Sequence, residues 1–450
     1  MVNGREHWAS RLGFVLAAAG SAVGLGNIWR FSYVTGEEGG AAFLIIYLIT
    51  IFLIGYPLMV TEISLGRNTQ KNPVGAFKSL APGSPWWLVG ALGVITGFVI
   101  LSYYSVIAGW SLAFMVNSLG GFPEGIEAAE GMFIGHITGI AAPVIYHAIF
   151  MALTAGVIAA GVVKGIQRTV KYLMPVLAVL LVLVVLRSVT LEGAGEGIAF
   201  MFAPDFGEVT WTTILRAVGQ SFFTLSLGMG AILTYGSYLS NQDEIPGSSI
   251  QIVGFDTILA IVAGLAIFPA VFAFGFDPGD GPGLVFVTLP AVFAEMPLGT
   301  LFGFLFFLLL SIAALTSAIS LLEVVVAYVI DEHNWPRSMA AIVVGIIIFV
   351  VGIPPILGYS AWSGFEFAGT GMDILDTYDF FADSIFLPLG GVLTAIFAGY
   401  VWGARNVVDE ANRGLPSFRI GMWIAPLLMI VIPLGVLAAM VFGIYETLAG

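Results

Sequence analysis

The 450-residue sequence has no cysteine, which excludes disulfides, thiolate-bound zinc, iron–sulfur clusters and a cysteine nucleophile. It has only four histidines, His7, His136, His147 and His333, and no two stand at metal-ligand spacing. Charged residues are scarce too, at 10% against 59% hydrophobic, where a soluble domain carries about 25% charge. A chain so poor in charge does not stay dissolved as a globular domain. Its net charge of −13 has the wrong sign for nucleic acid, which is held by clustered cations. What remains is a polytopic membrane protein.

What the chain has instead is long uncharged stretches, among them 79–123, 131–163 and 296–322. A helix rising about 1.5 Å per residue needs roughly 20 apolar residues to cross about 30 Å of hydrocarbon. Eleven spans are expected, at 11–35, 41–66, 86–118, 141–160, 166–187, 211–237, 246–274, 298–330, 338–356, 380–403 and 419–446. The ten-residue alternation of barrel strands is missing, so the fold class is all-α integral membrane. The opening residues 1–26 have the outline of a signal peptide, with Arg5 and Arg11 ahead of an apolar run. That run continues into Gly24-Leu25-Gly26-Asn27-Ile28-Trp29-Arg30-Phe31, however, and is read as the first span. With the amino terminus inside, every cation except Arg30, Arg187 and Arg216 falls on the cytoplasmic side. The acids lie mostly outside, as does the carboxyl terminus, given an odd number of spans.

Two spans are interrupted at corresponding places. Span one carries Ala19-Gly20-Ser21-Ala22-Val23-Gly24-Leu25-Gly26-Asn27 and span six carries Thr224-Leu225-Ser226-Leu227-Gly228-Met229-Gly230. Paired breaks of this kind point to a transporter with inverted repeats and a binding site at mid-membrane; small-residue packing faces are the alternative. Carbonyls freed at a break suit Na⁺, and N–H groups opening a half-helix suit a carboxylate. Span eight adds Thr316 and Ser317, whose hydroxyls otherwise bond back to the preceding turn. Asp256 in span seven is functional by default if it lies deep in the bilayer, and topological if it lies near the inner boundary. Glu62 and Glu323 read as structural caps of a neighbouring broken helix.

Arg5-Glu6-His7-Trp8, the Gly24–Phe31 run, Gln220-Ser221-Phe222-Phe223-Thr224-Leu225-Ser226-Leu227-Gly228 and Leu315-Thr316-Ser317, in this order, resemble the neurotransmitter:sodium symporters, especially the bacterial LeuT-like amino-acid transporters. The resemblance covers essentially the whole chain. It implies one transporter domain over 1–450 with the LeuT fold, repeats at about 11–187 and 211–403, and an additional helix at 419–446. It implies two sodium ions: one at Ala22, Asn27, Thr224 and Asp256, the other at Gly20, Val23, Ala313, Thr316 and Ser317. The substrate site would be Ala22, Leu25, Gly26, Ile100, Tyr104, Phe223, Thr224, Ser226, Met229, Ser317 and Leu321. With no charge facing the side chain, a neutral hydrophobic L-amino acid is expected. Arg30, Asp379, Tyr104 and Phe223 match an outer gate, and Arg5, Trp8, Tyr238 and Asp331 an inner one.

The sequence also departs from the family. Ser32 and Glu38-Gly39-Gly40-Ala41 replace the usual residues after the first motif, and the family's twelfth helix is not expected among the eleven spans. Asp256 stands where many relatives have asparagine, and Ala260 where chloride-dependent members have serine, while Tyr47 and Gln220 of that chloride site remain. A carboxylate at Asp256 supplies the negative charge itself, so chloride independence is expected. Gly165 and Pro175 in span five have the spacing that in relatives marks a helix able to unwind; an ordinary proline near a helix start is the other reading. No enzyme is expected: Asp256 lacks the partner an intramembrane aspartyl protease needs, and Ser363-Gly364 lacks the leading glycine of a serine type. A channel offers no reason for an apolar pocket beside ion ligands. The expectation is a sodium-coupled symporter in the inner (plasma) membrane, its oligomeric state open, with another small solute as the alternative cargo.

Overall fold

The computed structural model describes residues 6–279, 281, 283–414 and 416–449. Every regular element among them is helical. Among the described residues nine helices are long and apolar enough to cross a bilayer: Ala41–Thr69, Trp87–Ser118, Ala141–Ala159, Val162–Ser188, Pro246–Ala273, Gly299–His333, Arg337–Gly358, Ile374–Val401 and Ile424–Leu448. They coincide with spans two to five and seven to eleven to within a few residues, except that span ten begins a turn and a half early.

The two interrupted spans differ from all of these. Span one is a pair, Arg11–Ala22 and Gly26–Glu37, bent by 52°. Span six is split into Trp211–Thr224 and Ala231–Gly236 around the non-helical segment 225–230. Each half starts where the sequence permits it. Ser10 accepts from Gly13 N–H at 3.1 Å, and Thr210 with Thr213 forms a reciprocal cap. Gly228 and Gly230 take φ of 79° and 76°, and at Gly228 a Cβ would lie 2.3 Å from the Leu387 carbonyl oxygen, so only glycine fits. Ser226 is held at φ 54° without that excuse, anchored by its hydroxyl on the Ser21 carbonyl at 3.0 Å.

Around the breaks the long helices form a scaffold. Span eight lies along span three, span four along span nine, and span seven beside the Arg11–Ala22 half of span one. Arg67, fully buried at the end of span two, pairs with Glu410 at 2.9 Å and so fixes the short helix Ala404–Ala411 beneath the bundle. Arg216, at the opposite end, joins Glu37 at 2.6 Å, Glu38 at 3.0 Å and Glu446 at 2.8 Å, tying spans one, six and eleven together.

Candidate transport site

The bend in span one and the gap in span six face each other, with spans three, seven and eight completing the wall. Asp256 is fully buried between them. Its Oδ1 accepts from Asn27 Nδ2 at 2.7 Å and from the Thr224 hydroxyl at 2.9 Å, and the Tyr47 hydroxyl reaches Oδ2 at 3.4 Å. Asn27 Oδ1 accepts from Gly24 N–H at 3.1 Å, which stiffens the bend. Gln220 donates to the Gly26 carbonyl at 2.9 Å, while its own oxygen is buried without a partner. Asp256 therefore lies deep beside the breaks rather than at a boundary.

On the other side of span one, the Thr316 hydroxyl lies 3.3 Å from the Val23 carbonyl and 2.9 Å from that of Ala313. The Ser317 hydroxyl lies 2.9 Å from the Ser21 carbonyl and 3.5 Å from that of Gly20. Carbonyls released by the bend thus meet two hydroxyls from span eight. Among the described residues no three His, Asp or Glu side chains gather as a metal-holding group. Both clusters offer carbonyl, hydroxyl and amide oxygens with at most one carboxylate, a donor set that fits a hard alkali cation and not a transition metal.

A cavity of about 30 Å³ lies between the clusters. Every residue expected in the substrate site lines it except Leu25 and Thr224, and Ser21 and Gly24 line it in addition. Leu25 contributes from behind, its N–H donating to the Tyr104 hydroxyl at 3.2 Å. Ser21 forms a hydroxyl network with Ser226 at 3.1 Å and Ser320 at 2.6 Å that hydrophobic patterning does not reveal, because serine is common in a small-residue stretch. The wall carries no charged side chain. The cavity is small and its wall is drawn closely around it. Met229, unbranched and set between Gly228 and Gly230, is its most adaptable part.

Above the cavity the Arg30 guanidinium stands 4.6 Å from the Phe223 ring centroid and pairs with Asp383 at 2.5 Å. The expected partner was Asp379. The helix of span ten places Asp383 one turn further on, so the two carboxylates share a face and it is the second that meets Arg30. Below the cavity Trp8 donates to the Tyr235 carbonyl at 3.0 Å and packs edge-on against Tyr235 and Tyr238. The Tyr238 hydroxyl donates to Glu323 at 2.5 Å, and Arg337 grips the same carboxylate at 2.8 and 2.9 Å. Glu323 is thus held by Tyr238 and Arg337 on this side of the cavity and, among the described residues, caps no broken helix. Glu62 does cap one, accepting from Gly228 N–H at 2.8 Å. Asp331 accepts from Asn72 N–H at 2.8 Å, and Arg5 lies outside the described residues. Beyond this cluster opens a polar basin of about 1080 Å³ bordered by Glu6, Lys71, Asp331 and Arg337.

A bundle of apolar helices with an oxygen-lined site at two helix breaks, sealed by side chains above and below, defines a secondary transporter. The chain belongs to the sodium:neurotransmitter symporter family, whose model it matches over residues 5–123 and 134–449. It is 42% identical over 445 residues to YhdH, a sodium-dependent transporter of Bacillus subtilis (strain 168) described as uncharacterized, with 97% of this chain and 98% of that protein covered. It is 36% identical over 452 residues to another uncharacterized sodium-dependent transporter, from Haemophilus influenzae, with 95% and 97% covered. Its structure is similar to the crystal structure of MhsT in complex with L-phenylalanine, with TM-score 0.89, 48% identity, and 98% and 100% of the two chains covered. It is a multi-pass, sodium-dependent membrane transporter of the LeuT fold, and not an enzyme.

Proposed function

We propose that the protein imports neutral hydrophobic L-amino acids, aliphatic or aromatic, by sodium symport with alternating access. The observation that carries this reading is the cavity itself: an uncharged wall of Ile100, Tyr104, Phe223, Met229 and Leu321 beside two oxygen clusters. An apolar side chain fills such a wall, whereas a charged one is left buried and unpaired. The L-phenylalanine bound by MhsT is of the proposed class.

In this reading one sodium ion sits at Ala22, Asn27, Thr224 and Asp256, with the substrate carboxylate as a further ligand. A second sits at Gly20, Val23, Ala313, Thr316 and Ser317. The Asp256 carboxylate stands in for chloride, so transport is chloride-independent. Arg30 with Asp383 closes the outside, and Trp8, Tyr238, Glu323 and Arg337 close the inside. Residues 11–187 and 211–403 form inverted repeats within one domain, with the amino terminus cytoplasmic and the carboxyl terminus external.

The test is equilibrium binding of labelled L-phenylalanine to the purified protein, competed by each of the twenty amino acids, in Na⁺ or choline and in chloride or gluconate. Competition by leucine, tryptophan and other apolar amino acids, in Na⁺ only and with either anion, is expected. Competition by lysine or glutamate as strong as by leucine contradicts the substrate class, and binding lost in gluconate contradicts chloride independence.

A further inference from the structure

Span five starts where the chain holds a regular helix poorly. Gly161 takes φ 97°, the first turn over Val162–Gln167 is wound as a π-helix, and Pro175 removes the N–H that would satisfy the Lys171 carbonyl. This weak stretch carries Lys164, Arg168 and Lys171, all exposed. Steps of four and three residues put them on one helix face as surface neighbours. Among the described residues none of the three makes an ion pair, and the nearby Glu6 carboxylate is engaged with Val162 N–H at 2.7 Å and with Arg337 at 3.7 Å.

The same face continues toward the bilayer as Tyr172, Val179, Leu183 and Leu186, each between 42% and 61% exposed. Cations at the end, an aromatic ring at the boundary and an apolar strip beyond match, in order, the parts of a phospholipid lying along the helix. A zwitterionic headgroup brings no net negative charge to the three cations, whereas an anionic phospholipid does.

We propose that Lys164, Arg168 and Lys171 bind the headgroup of an anionic phospholipid, and that the bound lipid holds the first turns of span five in their wound form. The three cations share a face only while the segment is helical, so a ligand that needs all three favours the wound state. Met174, on the opposite side of this segment, packs toward Gly20 at the bend of span one. The lipid thereby restrains the wall behind that bend; the consequence for transport rests on the sodium-symport reading above, whereas lipid binding does not.

The test uses the full chain in nanodiscs of phosphatidylcholine with or without phosphatidylglycerol. Native mass spectrometry of the released protein should show phosphatidylglycerol retained over phosphatidylcholine, with retention at least fivefold lower in the triple variant Lys164→Gln, Arg168→Gln, Lys171→Gln. The cysteine-free sequence gives a silent background for Ile166→Cys, a fully buried position in the first turn. Phosphatidylglycerol should slow its maleimide labelling at least threefold, and not in the triple variant. Retention unchanged in the triple variant, labelling insensitive to lipid, or equal protection by inorganic phosphate alone overturns the proposal. Neither readout requires transport, so a failure of symport leaves both intact and is told apart from a failure of lipid binding.

Discussion

In the proposed mechanism Asp256 is the residue on which the ion chemistry turns. Buried carboxylates are retained where they are paired or hold a cation, and here Asn27, Thr224 and Tyr47 all converge on it. Asp256→Asn should raise the Na⁺ concentration for half-maximal substrate binding by at least tenfold, or make binding chloride-dependent; isotherms unchanged in both ions contradict its role. Glu244, in the loop before span seven, belongs to stability instead. Burial pushes its carboxyl up, but the Ser417 hydroxyl and N–H and the Arg11 guanidinium outweigh this and hold it below the ordinary value of 4.5. A depressed carboxyl contributes stability above its unfolded pKa and loses it as the pH falls through the folded one. Glu244→Gln should therefore lower the melting temperature at pH 7 and much less at pH 4, read by thermal unfolding in detergent. An equal effect at both values contradicts the ionic account. Single residues were also where sequence reading reached least far. Arg67 counts as a topology charge in the sequence, yet it is fully buried on Glu410. Arg30 was recognisable as a gate cation, but the choice between Asp379 and Asp383 depends on how span ten is rotated, which spacing alone does not fix.

At the level of the elements, the two breaks were legible because glycine and small residues interrupt strongly apolar runs, and their backbone geometry follows from that composition. The Gly228→Ala variant places a Cβ at 2.3 Å from the Leu387 oxygen at a φ of 79°. It should cost about 1–3 kcal/mol of stability and lower substrate affinity, measured by thermal unfolding and binding; a variant that melts and binds like the wild type removes the argument that span six is broken by necessity. The inner seal was legible only in part. Trp8 stood in a motif and Tyr238 followed from the resemblance, but Glu323 finds Arg337 through the turn joining spans eight and nine, a tertiary pairing with no sequence signature. Arg337→Ala leaves Glu323 buried and unpaired, a loss of about 3–5 kcal/mol, and should speed labelling of a cysteine placed at Tyr235 from the inner side. Adding Glu323→Gln should restore much of the stability, and a double variant no better than the single one contradicts the pairing. The short helices Pro73–Leu80, Ile126–Ile137, Ala194–Phe202 and Leu289–Glu295 were not anticipated, since they lie between spans where hydropathy is mixed.

Over the whole molecule, the arithmetic of charge that removed the chain from water also located its work. Most cations fall where an amino terminus inside would place them in cytoplasmic loops. The exceptions, Arg30, Arg187 and Arg216, find Asp383, the Phe302 ring and three glutamates respectively. The cavity at the helix breaks is flanked by oxygen donors, in keeping with a chain without cysteine. If two sodium ions move with one zwitterion, each charge falling through 100 mV supplies about 2.3 kcal/mol, enough for roughly a thousandfold accumulation. The most direct test is uptake of labelled leucine into proteoliposomes carrying an inward Na⁺ gradient and an inside-negative potential. Accumulation well above the external concentration, abolished when choline replaces Na⁺ and collapsed by gramicidin, is the predicted result. Uptake that only equilibrates, or that persists in choline, would contradict sodium-coupled transport.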